Sequence, residues 1–503
     1  MASAQPYINN NGSHQDIKLP ASSIELSDGT TVQDAVESLD QYAKKTDIPQ
    51  STNVSFTRNL SSGTKIGTLT IDGTSTDLYS TNNTTYSNAT TSSSGLMSAA
   101  DKKKLNNISF NSIGLITSKT GIYGFRIDDK DSNPFSRVEY IYDAADMSPC
   151  YMDFTNSVFS YGSWKDIWFV KNNKPLMLKS SGTVDYYLNP NDYTLKENGE
   201  TSDITNIDYD GNAMASFPLI WVKRYQDGRY KYVLFCETKY DSDFRAYAHT
   251  NASGVVKPYF YWGLFPGSGN ATKIRSLSGR TVSKNLGAQS QINGAIANGT
   301  GWYIHTWSQR SLLTDMIILL SKSTDFQSVY GNGNCGNTST GDTTHKTGTL
   351  ISMGQFFGYN VAGKAVKAFH VEDTWGNQSD RTAGLINNKG TIYVKMTPEG
   401  SGYQVTDVTG YIDTGLKAPG TSADGALLST VNCSEYGMLP SLATGSSTTY
   451  YCSGYWCNSG SLCYPVVGGC AYNSSGLCGG FAIDIYRASS YSSWGWGCGL
   501  SYV

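Results

Sequence analysis

Beyond Met438 the chain contains no Lys, Glu, Gln, Met or His, and its only charged residues there are Asp484 and Arg487. The closing stretch, "GGFAIDIYRASSYSSWGWGCGLSYV", is made largely of Tyr, Ser, Gly, Trp and Cys. A soluble surface normally carries Lys and Glu, so something other than solubility selects these residues. Gly (52), Tyr (35) and the many Ser, Thr and Asn residues run high across the whole chain. Few long stretches show helical periodicity, so irregular, turn-rich β structure is the expected fold.

At 503 residues the chain has room for two to four domains, or one large domain with appendages. Hydrophobic content of 39% and aromatic content of 12% exclude a wholly disordered chain. A net charge of -3 supplies no basic stripe for nucleic acid. No apolar run reaches the roughly 18 residues of a membrane span. The opening "MASAQPYINNNGSHQDIKLP" lacks the charged-then-apolar plan of a secretory signal. The expectation is synthesis in a cytosol, with any extracellular role following release by lysis. Of the ten cysteines, Cys452, Cys457, Cys463, Cys470, Cys478 and Cys498 crowd the end. None forms a C-x-x-C pair and no His lies near, which argues against zinc. A disulfide framework stays open, although a cytosolic origin weighs against it.

In "SDGTTVQDAVESLDQYAKK", Val32, Val36, Leu39 and Ala43 share one helical face, and Thr30 or Thr31 can cap the start. So short a seam cannot sustain an isolated helix, so it packs either on copies of itself or on its own domain. Residues 49–94 are rich in Ser, Thr, Asn and Gly, with short alternations such as "TKIGTLTID" that read as strands lacking apolar mass for a core. Intertwined chains would supply the missing burial. In "GLMSAADKKKLNNI", Ser98 is a candidate N-cap with Asp101 in the first turn. From about residue 115 the chain becomes aromatic-rich. "FPLIWVKRYQDGRYKYVLF" reads as a hairpin turning at Gln226, Asp227 and Gly228. "SQRSLLTDMIILLSKS" reads as a helix over 308–323, with Leu312, Leu313, Met316, Ile317 and Leu320 on one apolar face.

Catalytic signatures are missing from the sequence. His249, His305, His345 and His370 show no metal-ligand spacing, and there is no G-x-S-x-G, Walker loop or dinucleotide fingerprint. Carboxylates are numerous enough that some pair could flank a glycosidic bond, but nothing in the sequence selects one.

Several motifs nevertheless resemble known families. "GLMSAADKKKLNNI" resembles a cassette of bacteriophage tail-fibre proteins that precedes a receptor-binding head, and "LSDGTTVQDAVESL" is similar to tail-fibre N-terminal segments. "VEDTWGNQSDRTAGL" places Glu372, Trp375, Gly376 and Asn377 as in the E-N-x-W-G-N core of the formylglycine-generating-enzyme type of C-type lectin fold, with Asp373 where that pattern has Asn. "SLSGR", "GTGWYIHTW" and "FQSVYG" occur upstream in that family's order. Trp375 suits a core, Gly376 a tight turn and Asn377 bonds to nearby backbone, so these residues read as fold-makers rather than catalysts. The tail resembles the end of variable proteins diversified by retroelements. The resemblance implies a framework of Gly468, Gly469, Phe481, Ile483, Ile485, Trp494, Gly497, Leu500, Ser501 and Tyr502. Such elements substitute at template adenines of AAC or AAT codons. The products keep a pyrimidine third base and cannot encode Lys, Glu, Gln, Met or Trp, and the first four of these are among the residues missing after Met438. Trp456, Trp494 and Trp496 would then be framework or unmutated positions, and the crowded cysteines need not pair.

The expected architecture is therefore mixed α+β and β-rich: an attachment or oligomerisation segment (1–48), a shaft with a helical cassette (49–114), and a C-type lectin-like domain (115–503) whose variable region spans about 450–503. Phe481, Ile483 and Ile485 alternate with Ala482, Asp484 and Tyr486, as in a strand with one buried face. The expected recognition face comprises Tyr451, Ser453, Tyr455, Cys470, Tyr472, Asn473, Ser475, Ala482, Asp484, Tyr486, Arg487, Tyr491, Ser493 and Gly495. Its Tyr, Ser, Gly and Asn content is what antibody paratopes favour. The resemblance implies a virion tail-fibre adhesin without catalytic residues, metal or cofactor. It would be a homotrimer that binds a bacterial surface protein or glycan and joins phage tail or baseplate proteins through its N-terminus, with no nucleic-acid partner and no membrane insertion. The rivals are a tail-spike depolymerase, a formylglycine-generating-type oxidase and a bacterial cell-surface lectin with a calcium site.

Overall fold

A computed structural model describes residues 54–58, 65–79, 98, 109–110, 116–117, 121–336 and 341–503. The helix expected within 27–45 and the cassette helix after Ser98 lie outside the described residues. The chain divides into two units, Met1–Thr120 and Gly121–Val503.

In the first unit, Val54–Arg58, Lys65–Ile71 and Thr74–Tyr79 form an antiparallel sheet in chain order. Asp72 and Gly73, at φ +50° and +82°, make the two-residue turn between the last two strands. Positive φ at both turn residues matches the strand twist, and Asp-Gly tolerates it best. Phe56, Ile71 and Leu78 remain exposed on this sheet.

The second unit is β-rich, with few helices. A seven-stranded sheet runs Asp192–Lys196, Val184–Asn189, Lys174–Lys179, Gly211–Pro218, Tyr259–Gly263, Leu500–Tyr502 and Trp302–Ile304 from edge to edge. The last strand of the chain is thus an inner strand of the largest sheet. Ser501 pairs with both Trp262 and Tyr303, and its hydroxyl donates to the Ile304 carbonyl. Phe217 and Pro218 close the Gly211–Pro218 strand of this sheet, so the expected hairpin begins only at Trp221. Its strands, Trp221–Asp227 and Tyr230–Cys236, pair through Asp227 and Tyr230. The turn is therefore Gly228-Arg229, later than expected, because Gln226 pairs with Lys231.

The central helix, Trp307–Ser321, starts in a capping box: Thr306 Oγ1 accepts from Gln309 N–H while Gln309 Oε1 accepts from Thr306 N–H. It ends at Lys322, which takes a left-handed conformation at φ +53°. The sequence indicates one apolar face; in the structure all fifteen residues are buried. Ser308, Gln309, Arg310, Thr314 and Asp315 are therefore interior, and Asp315 is paired with the buried Arg224 guanidinium. Pairing is what makes such charges tolerable away from water.

The 372–377 motif supports the packing as expected of fold-makers. Trp375 is 1% exposed and its indole N–H donates to Gly331 O. Gly376 sits at φ +79°, where a Cβ would come within 2.8 Å of Asn334 N. Asn377 Oδ1 accepts from His345 N–H (2.8 Å) and Asn334 Nδ2 (2.9 Å). Glu372 accepts from Gly348 N–H and from the N–H and hydroxyl of Thr349. Burial and the neighbouring Glu372 hold Asp373 well above the usual carboxylate range. Burial thereby shifts this carboxyl toward its neutral form.

All ten cysteines are buried free thiols. Among the described residues no helix is long and apolar enough to cross a membrane.

Candidate functional site

The tail sheet runs Ala426–Leu427, Gly454–Cys457, Ile483–Ile485, Val466–Val467, Ser379–Arg381 and Trp496–Gly497. Within Ile483–Ile485 the two isoleucines are buried and Asp484 is half-buried on the opposite face, as period-2 alternation requires. Asp484 pairs with Trp456 on one side and Val466 on the other. This row of three floors a concavity of about 380 Å³. Its walls come from 470–473 and 486–496, with Ser379 and Ala423 completing the rim.

The wall at 486–496 is held chiefly through its backbone. Gln378 Nε2 donates to Trp494 O (2.7 Å), Gln291 Nε2 to Trp496 O (3.3 Å), and the buried Arg381 guanidinium to Tyr491 O. Ser379 N–H donates to Gly495 O, Ala288 N–H to Ser489 O and Asn285 N–H to Ser493 O. Main-chain carbonyls are common to every residue type, so this anchoring is indifferent to the side chains the segment carries. Tyr491, 37% exposed, meets Trp496 edge to face at 4.7 Å. The Arg487 guanidinium lies 5.2 Å from the Tyr486 ring and 5.0 Å from the Tyr491 ring, within cation–π range of both.

Burial pushes the Asp484 carboxyl up to about 6, while the Tyr486 N–H it accepts and the Arg487 and Arg381 charges pull the other way. At neutral pH the floor thus presents an ionised acceptor beside a cationic donor, ringed by aromatic faces. Asn473 Oδ1 accepts from Cys470 N–H, bending the opposite wall, and Tyr472 projects from it with 57% exposure.

Ten of the expected face residues line this one concavity: Cys470, Tyr472, Asn473, Ala482, Asp484, Tyr486, Arg487, Tyr491, Ser493 and Gly495. The other four do not, which corrects the expected face. Tyr451 is fully buried, packed edge-on against Phe481 at 4.5 Å and beneath the Arg137 guanidinium at 4.4 Å. Ser453 is buried, and Tyr455 is fully buried with its hydroxyl donating to Pro419 O. Ser475 opens the 3-10 turn Ser475–Leu477, half-buried and next to Gly336. The parity of the Gly454–Cys457 strand is the cause: Trp456 takes the concave face, so Tyr455 and Cys457 point into the core. Sequence reasoning had no way to reach Ser379 and Ala423, which come from distant segments. It did single out Trp456, Trp494 and Trp496, but as framework or unmutated positions, whereas Trp456 also lies in the floor and Trp494 and Trp496 in the wall.

Among the described residues, no group of three or more His, Cys, Asp or Glu is placed to hold a metal ion. Comparison of the chain with protein-family models and with curated proteins finds no match to either.

Proposed function

We propose that this chain is a phage or prophage tail-fibre adhesin that grips a bacterial surface receptor with the concavity floored by Asp484. The observation that carries the reading is the separation of backbone from side chain at 486–496. The segment's carbonyls are tied down by Gln378, Gln291 and Arg381, while Tyr486, Arg487, Tyr491 and Ser493 face the concavity. A binding surface whose side chains are exchanged by a retroelement needs this kind of anchoring, because the fold must survive every substitution. The tail's residue vocabulary, short of Lys, Glu, Gln and Met, supports the same reading. The inner strand Leu500–Tyr502 and the Trp375-Gly376-Asn377 turn suit a C-type lectin-like domain of the formylglycine-generating-enzyme type.

In this reading residues 1–48 attach the fibre to tail or baseplate proteins, 49–114 form a shaft, and 115–503 present the head. Three copies assemble on the virion after synthesis in the host cytoplasm, and avidity lets each site bind weakly. No bond is made or broken. Among the described residues Asp484 is the lone carboxylate lining the concavity, whereas glycoside hydrolysis generally uses a pair, so adhesion is favoured over depolymerisation.

Replacing Tyr486, Arg487 and Tyr491 together by alanine tests the claim. Attachment of the labelled chain to susceptible cells should fall at least about tenfold, a loss of 1.4 kcal/mol or more, with the folded state intact. Undiminished attachment would overturn the reading. Neighbouring DNA offers a second check: a near-copy of the 3′ coding end, differing at adenines, beside a reverse transcriptase gene.

A further inference from the structure

A second cavity, of about 400 Å³, lies at the edge of the large sheet and shares no lining residue with the first. Its base is polar and its hydrogen-bond donors are directed inward. Gln355 Nε2 donates to Val170 O and Asn173 Oδ1, and the Asn173 amide donates to Ser216 O. His370 Nδ1 is 2.6 Å from the Tyr193 hydroxyl, and both rings are buried. Among what the base still offers are lone pairs, on Gln355 Oε1, the Tyr161 hydroxyl and Gly354 O. The mouth has the opposite chemistry. Lys165, Lys171 and Lys174 border it, and none makes an ion pair among the described residues, although Asp166 and Glu197 stand at the same rim. The Tyr187 ring, 40% exposed, lies 5.2 Å from Lys174 Nζ. Phe369 and His370, at φ +52° and +68°, are consecutive non-glycine residues in left-handed backbone beside this base. Each costs roughly 1–2 kcal/mol, and such strain clusters where ligands bind.

We infer that this cavity binds an anion-bearing sugar, with ring hydroxyls donating to the acceptors at the base, the ring lying on Tyr187, and a carboxylate or phosphate held by the lysines at the mouth. The volume falls within the range of small-molecule sites. Lysine acts as a mobile point charge and so serves either anion. The site is independent of the tail, since none of its residues lies beyond His370.

The test is calorimetric titration of the full chain with sodium glucuronate, glucose 6-phosphate and glucose. Saturable binding near about 1 mM is expected for at least one of the two anionic sugars and should weaken as salt rises; whichever binds tighter identifies the anion. Glucose should bind at least about tenfold more weakly. The Lys171→Ala/Lys174→Ala double variant should lose at least about tenfold in affinity. The Tyr486→Ala/Arg487→Ala/Tyr491→Ala variant should bind as the parent does, which separates this inference from the adhesin reading. Equal binding of glucose, undiminished binding by the double lysine variant, or no saturable binding of either anionic sugar would each overturn it.

Discussion

Asp484 combines a binding role in the proposed adhesin with a stability cost in the fold. Its carboxyl, raised to about 6 by burial, is ionised at neutral pH and protonated in mild acid. If it accepts from the receptor, attachment should weaken as pH falls from 7 to 5, and Asp484→Asn should flatten that profile. The effect on folding has the opposite sense. A carboxyl whose folded pKa is raised binds its proton more tightly in the folded state. The resulting stabilisation is complete below about pH 4 and lost as pH rises through about 6. Asp484→Asn should therefore raise the melting temperature at pH 7.5 and leave it nearly unchanged at pH 4. The gain has a ceiling of about 3 kcal/mol, less what water reaching the half-buried group already recovers. A second carboxylate sits deeper. Asp315 is paired with Arg224, both buried, so Asp315→Ala strands a guanidinium in the core. It should cost about 3–5 kcal/mol by urea unfolding, whereas Arg224→Met/Asp315→Leu should recover most of that loss.

At the scale of elements, the central helix shows what periodicity can and cannot reveal. Its position was legible from the spacing of Leu312, Leu313, Met316, Ile317 and Leu320, and Thr306 starts it with a capping box. Thr306→Ala should destabilise by about 1 kcal/mol, and Lys322→Gly should stabilise by up to about 1 kcal/mol by relieving the left-handed end. Paired denaturation curves would check both. Burial of the polar side was not legible, because it depends on which layers close over the helix. The tail strands give the same lesson at finer grain. Around Ile483–Ile485 the alternation Phe481, Ile483, Ile485 named the buried side correctly. In "YYCSGYWCNSG" aromatic residues fall on both parities, so the sequence had no means to choose between Tyr455 and Trp456. A slip of one residue exchanges the faces, and here the core took Tyr455.

For the whole molecule, the two units make separate predictions. The sheet of the first unit leaves Phe56, Ile71 and Leu78 exposed on a single chain, apolar surface that partner chains would cover in the proposed shaft. Light scattering of the full chain should report a trimer. A fragment comprising Gly121–Val503 should fold alone, keep receptor binding at a single site, and lose the avidity of the full chain. A full chain that stayed monomeric would remove the trimer from the proposed function.

The sequence by itself determined the β-rich class, the central helix, the fold-making turn at Trp375-Gly376-Asn377 and most of the residues lining one concavity, because local spacing and backbone preference act within a few residues. Tertiary structure alone decided that Leu500–Tyr502 lies inside the largest sheet, that Tyr451 and Tyr455 are core, that Ser379 and Ala423 complete the concavity, and that Gln378, Gln291 and Arg381 hold its wall. Those outcomes depend on pairings between segments tens to hundreds of residues apart, and no local pattern encodes which distant strand will arrive beside a given side chain.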